Sequence, residues 1–373
     1  MNRARSLLPF VGGLLGPFGT GVVTPMLPEL RDEFLISTEA ASLTFTLYFL
    51  PFALLLIFSG TIGERFGRQR ALRLAFATYG VASLICFVAP SLGILLSGRL
   101  LQGAANAFIT PLLLAGLVEV AAEAVVGRVV GLYGLFQALG GLMAPLVGGI
   151  AADINWRLAF LVVGVVSFLL IPSSPPGQPN PEATPPSLRS LATRRMGYLS
   201  AGACLMAFGP IGAGIIVGLK LRDDIGLDGA TTGRVFVVGS AVAMLVSPLA
   251  GRLMDRLGVT RVTLAASALS ILAVLWLGAT DSQIGVVGAW ALAAAAAIAI
   301  TVVFQALAAG AVPGNRGGAI SAMLACRFLG HGLGPVAWTP LMANHATLAF
   351  VGTASVGLPA MAFLLLAGKS GRA

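Results

Sequence analysis

Stretches such as LTFTLYFLPFALLLIFSG, residues 43–60, recur along the whole chain, each apolar for the length of a membrane crossing. About twenty apolar residues in a helix span the roughly 30 Å hydrocarbon core of a bilayer. A helix can do so because it satisfies its backbone hydrogen bonds internally. Twelve such runs can be read, at about 7–28, 40–62, 71–89, 92–117, 124–151 and 157–171, then 196–219, 235–251, 262–280, 283–310, 317–342 and 346–367. Of the 373 residues, 57% are hydrophobic and 10% are charged, too few charges to cover a soluble domain of this size. The composition predicts a polytopic, all-α membrane protein. The start, MNRARSLLPFVGGLLGPFGTGVV, is basic and then apolar beyond the length of a signal-peptide core, so it reads as the first span.

Between the sixth and seventh runs lies PSSPPGQPNPEATPPSLRSLATRR, with seven prolines in its first fifteen residues. That composition is a polar, extended linker. The expected organisation is therefore a six-helix half at 1–171, a linker at 172–195 and a second half at 196–373. Twelve crossings put both termini and the linker on one side of the membrane. That side collects 16 of the 23 Lys and Arg residues, the other side five (Arg31, Arg157, Lys220, Arg222 and Arg234), and two, Arg99 and Arg327, lie inside spans. Cationic loops mark the cytoplasmic face, so both termini are expected there. The formal net charge of +9 is thus mostly topology, not a nucleic-acid surface.

SGTIGERFGRQR, residues 59–70, has a counterpart in LAGRLMDRLGVTR, residues 249–261. Gly60, Glu64, Arg65 and Gly67 match Gly251, Asp255, Arg256 and Gly258, each pair 191 residues apart. Both copies fall in the short loop after the second span of a half. Repetition at a fixed period marks two structural repeats with a site at their interface, the usual build of a secondary transporter. The glycines permit a tight turn. The acids and arginines, Arg68 included, are expected to pair across the cytoplasmic face in one conformation and part in another.

Several segments carry a family likeness. GTIGERFGRQR resembles the cytoplasmic signature of the major facilitator superfamily, with Glu64 in place of its Asp. LLSGRLLQGAAN, residues 95–106, is similar to that family's fourth-helix signature with a buried arginine, here Arg99, followed by Gln102. GLYGLFQALGGLMAPLVGG, residues 131–149, resembles its fifth-helix antiporter signature through Gly131, Gly140, Pro145, Gly148 and Gly149, with Ala144 replacing a glycine. INWRLAF at 154–160 and TPMLPEL at 24–30 extend the likeness. The resemblance implies the twelve-helix major facilitator fold. It also implies a drug:proton antiporter-like bacterial exporter, working in the inner membrane and contributing to multidrug resistance.

The same segments have their own physics. Arg99, Gln102, Asn106 and Thr110 are spaced 3, 4 and 4, one polar stripe along a helix. An arginine within a span costs about 2.5–3.5 kcal/mol on insertion scales, so it must face the bundle interior and find a partner. With no carboxylate deep in any span, the expected partner of Arg99 is a backbone carbonyl, Gln102 or a polar group of a neighbouring helix. Gly140, Ala144 and Gly148 share a face on which another helix can come close, and Pro145 bends that helix, which suits a gate. Arg327 and His331, four apart near the middle of the eleventh run, form an ionisable pair at the midplane. With Gln137, these residues are candidates for coupling or substrate contact.

The function expected is secondary transport of a small organic molecule by alternating access, most simply proton-coupled efflux by a monomer. An uptake symporter or facilitator is the alternative, and a membrane-embedded enzyme a remote one. Cys86, Cys204 and Cys326 sit singly in apolar runs, no metal-ligand spacing occurs, and no phosphate-binding Gly-x4-Gly-Lys-Ser/Thr is present. Partners are therefore a small-molecule substrate, protons and the lipid bilayer, with no cofactor, metal or nucleic acid. Because the charges fixed inside spans are cationic, neutral or anionic substrates are expected over permanently cationic ones.

Overall fold

The second helix of each half is started and stopped by its own sequence. Ser37 and Asp228, again 191 residues apart, are the N-caps of corresponding helices, accepting hydrogen bonds from the amides of Ala40 and Thr231. The Thr231 hydroxyl and amide hold the Asp228 carboxyl below the usual carboxylate range. The same two helices end at Gly67 and Gly258, with φ of 89° and 82°. Side chains rarely adopt that backbone, so the matched glycines of the repeated loop are a conformational requirement.

The computed structural model describes residues 3–182 and 188–369; the middle of the expected linker, 183–187, and Arg372 lie outside them. No strand occurs among the described residues. The principal helices are α1 (Leu7–Phe34), α2 (Thr38–Phe66), α3 (Arg68–Val88), α4 (Leu92–Glu119), α5 (Glu123–Ile154), α6 (Arg157–Ser173), α7 (Arg194–Asp224), α8 (Gly229–Leu257), α9 (Val259–Ala279), α10 (Gln283–Ala309), α11 (Arg316–Asn344) and α12 (Ala346–Lys369). Ten of these are long and apolar enough to cross a membrane. The other two are α6, apolar but only 17 residues, and α11, which carries Arg316, Arg327 and His331. Both nonetheless pack within the bundle at the places the twelve-span pattern assigns them.

Helix pairing is the same in both halves. In the first, α1 packs on α5, α2 and α3 pack on α4, and α3 packs on α6; in the second, α7 packs on α11, α8 and α9 on α10, and α9 on α12. Lipid removes the hydrophobic force between helices, so these contacts rest on close packing through small residues. A Cβ on Gly103 would run into the Tyr48 carbonyl of α2, and one on Gly330 into the Cys204 carbonyl of α7. Across the halves, α2 packs against α11 and α5 against α8. The first helix of each half is broken, at Thr24–Met26 in α1 and Pro210–Ala213 in α7.

Candidate functional site

The two ends of the bundle differ. At the end away from the termini, charged residues bridge the halves. Arg31 pairs with Asp223 at 3.2 Å; Arg222 pairs with Glu29 and lies 3.9 Å from Asp153. Asp153, at the end of α5, also accepts hydrogen bonds from the Gly229 and Ala230 amides that open α8, at 2.7 and 2.8 Å. A carboxylate at a helix N-terminus meets unsatisfied amides and the positive end of the helix dipole, so this cap joins the halves as well. Three acids and two arginines thus tie α1 and α5 to α7 and α8.

In the sequence alone, Arg31 and Arg222 of this latch count only among the sparse cations of one membrane face. A signal was present. Leu30-Arg31-Asp32-Glu33 and Leu221-Arg222-Asp223-Asp224 stand 191 residues apart, the spacing of the repeated loop at the other end. Each copy contributes an arginine that reaches an acid of the other half.

At the arginine-rich end, the ion pairs of Arg68 stay inside one half. Arg68 pairs with Glu64 at 3.4 Å and with Glu119, all in the first half. The linker packs there too: the Asn180 amide donates to the Glu64 carbonyl, and Pro179 lies over Gly67. Arg65, Asp255 and Arg256 are exposed, and a Cβ on Gly60 or Gly251 would meet nothing within 4 Å. Glu64 and Arg68 are thus joined within the first half. In this conformation ion pairs join the halves at the end away from the termini.

The small residues of α5 divide between two neighbours. Gly140, Ala144 and Gly148 face α1, where a Cβ on Gly140 or Gly148 would run into the carbonyl of Leu14 or Val22. Pro145 and Gly149 face α8 instead: a Cβ on Gly233 would strike the Pro145 carbonyl, and one on Gly149 the Gly229 carbonyl. The expected face of 140, 144 and 148 is therefore an internal seam of the first half, and the joint between halves runs along 145 and 149. Gly131 has open space around it.

At the other joint, α2 against α11, the Thr46 hydroxyl donates to the Gly332 carbonyl at 2.6 Å. Phe49 stacks on His331, centroids 5.5 Å apart, and on Phe328 at 5.9 Å, while Phe52 meets Phe328 at 4.5 Å. Arg327 lies one turn from His331. It is partly exposed, and its Nε is buried without a hydrogen-bond partner. Helices α5 and α11 match at a spacing of 190, through Gly140 with Gly330 and Pro145 with Pro335. Gln137 and Arg327 then occupy equivalent positions, so the second half carries a cation where the first carries an amide.

The polar stripe on α4 is elsewhere. Arg99, Gln102 and Asn106 are buried inside the first half, with Arg99 wholly inaccessible. Arg99 donates to the Thr44 carbonyl at 3.1 Å, the Gly19 carbonyl at 2.9 Å and Gln102 Oε1 at 2.8 Å; Gln102 then donates to Ser83 at 2.8 Å. The guanidinium also lies 4.3 Å from the Tyr48 ring centroid, a cation–π distance. One side chain thereby binds α1, α2 and α4, and its partners are of the kind the sequence allowed. The corresponding residue of the second half, 191 positions on, is Trp290, packed against Phe236. Arg99→Gln is expected to lower the stability of the first half by about 3 kcal/mol, because two buried carbonyls lose their donor. Thermal unfolding of the purified protein checks this; an unchanged melting temperature would remove Arg99 from the structural network.

Two six-helix halves, repeated in helix pairing and in loop motifs and joined by ion pairs at one end, define a two-fold helical membrane protein. The chain belongs to the Major Facilitator Superfamily, whose family model matches residues 10–335 and 199–372. Among its relatives, the uncharacterized MFS-type transporter YceJ of Bacillus subtilis is 24% identical over 64% of each chain. EfpA of Mycobacterium tuberculosis, also an uncharacterized MFS-type transporter, is 30% identical over 43% of this chain and 31% of its own length. The puromycin resistance protein pur8 of Streptomyces alboniger is 30% identical over 40% and 30%. The matched segments thus span 64% or less of these relatives' own lengths. In fold, the chain is similar to a bacterial homologue of the human lysosomal transporter Spinster in an inward-facing, unoccupied conformation. That match has a TM-score of 0.78 and 21% identity and covers 99% of this chain and 98% of the other. The human organic anion transporter MFSD10 matches with a TM-score of 0.73 and 16% identity over 98% and 100%. The first two of these relatives are named as MFS-type transporters, and the structural neighbours share the fold.

Proposed function

We propose that this protein exports a small organic molecule across the bacterial cytoplasmic membrane in exchange for protons. Residues 1–171 rock as a monomeric pair with residues 196–373, tethered by the linker at 172–195. The observation that carries this is the difference between the two ends: inter-half ion pairs at one, exposed Asp255 and Arg256 at the arginine-rich other. With the arginine-rich end placed in the cytoplasm by its charge, the conformation is inward-facing. Glu64, Arg65, Arg68, Asp255 and Arg256 then belong to the second latch, which forms when the first one opens. Export is favoured over uptake by the fifth-helix pattern and by relatives named for puromycin and multidrug resistance. The test is transport in oriented vesicles with and without an imposed pH gradient. Movement unaffected by the gradient would end the proton-coupled reading, and accumulation on the cytoplasmic side would reverse the direction.

For the proton, His331 is the midplane group whose unperturbed pKa, about 6.5, lies near physiological pH. Its ring rests on Phe49 at the joint that must slide, so a charge arriving there acts on both halves. His331→Gln is expected to abolish gradient-driven accumulation while leaving substrate binding intact. Retained accumulation in this variant would move the proton to a carboxylate of the latch.

A further inference from the structure

Two guanidinium groups lie deep in the bundle, and their surroundings differ. Arg99 has its donors spent on carbonyls and an amide. Arg327 has none of this. Its Nε is enclosed without a partner, and every one of the chain's 14 acids sits in a loop or within two turns of a helix end. Arg327 is the twelfth residue of the 29 in α11, too far along the helix for any of them to reach. Nor does it face lipid. Val336, 49% exposed, is nine residues further on, two and a half turns and so the opposite face of the helix. Arg327 therefore points inward, beside the joint of α2 with α11 and its wall of Phe49, Phe328 and His331.

We infer that Arg327 and this aromatic wall form an anion subsite, whose ligand is an organic carboxylate with a flat apolar body. This rests on the transport function proposed above and supplies its substrate class. A guanidinium presents a planar fork of donors that matches the two oxygens of a carboxylate, and it keeps its charge at any physiological pH. While the arginine-rich end is open, water can solvate that charge. Rocking shut strips the water away, and a cation without a partner in a low-dielectric interior opposes the closure. A carboxylate arriving on Arg327 removes the opposition, so the loaded protein closes more readily than the empty one. A cationic ligand adds to the penalty. The ring system of the ligand lies against Phe49 and Phe328, whose faces accept it at small entropic loss.

The experiment uses three compounds with one ring system, 2-naphthoate, 2-naphthamide and 2-naphthylmethylammonium, on the full-length protein in lipid nanodiscs. Equilibrium binding should favour the naphthoate by at least about tenfold over the other two. Arg327→Gln should erase that preference. Arg327→Lys should keep it at lower affinity, since the ammonium retains the charge and loses the fork. Equal or tighter binding of the amide or the ammonium compound to the wild type would overturn the inference. So would a preference that survives Arg327→Gln, or failure of all three to bind. Spin labels on the α2–α3 and α8–α9 loops separate this result from the transport reading. Naphthoate that binds through Arg327 yet never changes the label distance, and is not carried across, leaves the subsite standing and removes transport. A distance change driven by the amide or ammonium compound alone does the reverse.

Discussion

Arg222→Ala is expected to release the end of the bundle opposite the termini and to populate an outward-open form. Arg222 holds Glu29 and lies beside Asp153, on side chains 11%, 23% and 33% exposed respectively, so solvent screens these pairs incompletely. Truncating one partner of a partly buried, hydrogen-bonded charge pair costs about 2 kcal/mol at the low end, roughly thirtyfold in a two-state ratio. The loss falls on the latched state alone, because the pairs join the halves there and part when the latch opens. Spin labels at Leu35 and Asp281, both highly exposed at this end, would report a longer distance in the variant. Glu29→Gln should move the population the same way by less, since Arg222 keeps Asp153. A distance distribution identical to wild type would show that the ion pairs do not set the equilibrium.

The largest effects are expected at two adjacent glycines. Gly148 faces the Val22 carbonyl inside the first half, and Gly149 faces the Gly229 carbonyl across the joint. A side chain at either position has nowhere to go while those backbones stay in contact. Gly148→Leu must therefore push α1 away from α5, which opens the packing of one half and removes folded protein from the membrane. Overpacking of this kind usually costs about 1–3 kcal/mol, and more where the obstacle is backbone. Gly149→Leu collides with the other half instead, and relief comes by the halves parting at the latch. The protein should still insert and fold, held outward-open, with transport lost. Membrane abundance and the label distance at Leu35 and Asp281 distinguish the two variants. If both vanish from the membrane, or both fold and transport, the division of α5 into an internal face and a joint is wrong.

Much of this was open to inspection in the chain. Runs of about twenty apolar residues, the cationic asymmetry of the loops and the 191-residue repeat together dictate a two-half helical bundle. Each is a local quantity: a length, a charge count, a spacing. The repeated Gly67 and Gly258 are local too, because a positive φ is a property of one residue. The limits came at α6 and α11, where one segment is short and the other polar, so that apolar length alone does not mark both as crossings.

Neighbours across the bundle were decided elsewhere. Periodicity placed Gly140, Ala144 and Gly148 on one face of α5, and it placed Arg99, Gln102 and Asn106 on one face of α4. A helical face has no label for what it meets, and the same spacing serves an internal seam, a joint between halves or a lined pathway. Packing in three dimensions turned the α4 stripe into a strut and left Arg327, the second arginine deep in the bundle, without a carbonyl or carboxylate among the described residues. The latch shows the same division. Its repeated Leu-Arg-Asp segments are visible in the chain, but the pairing of Arg31 with Asp223 joins residues 192 apart, and distance along a sequence carries no information about distance in space. Apolar length and loop charge are set residue by residue against the bilayer, whereas a gate exists only between surfaces that the folded halves bring together.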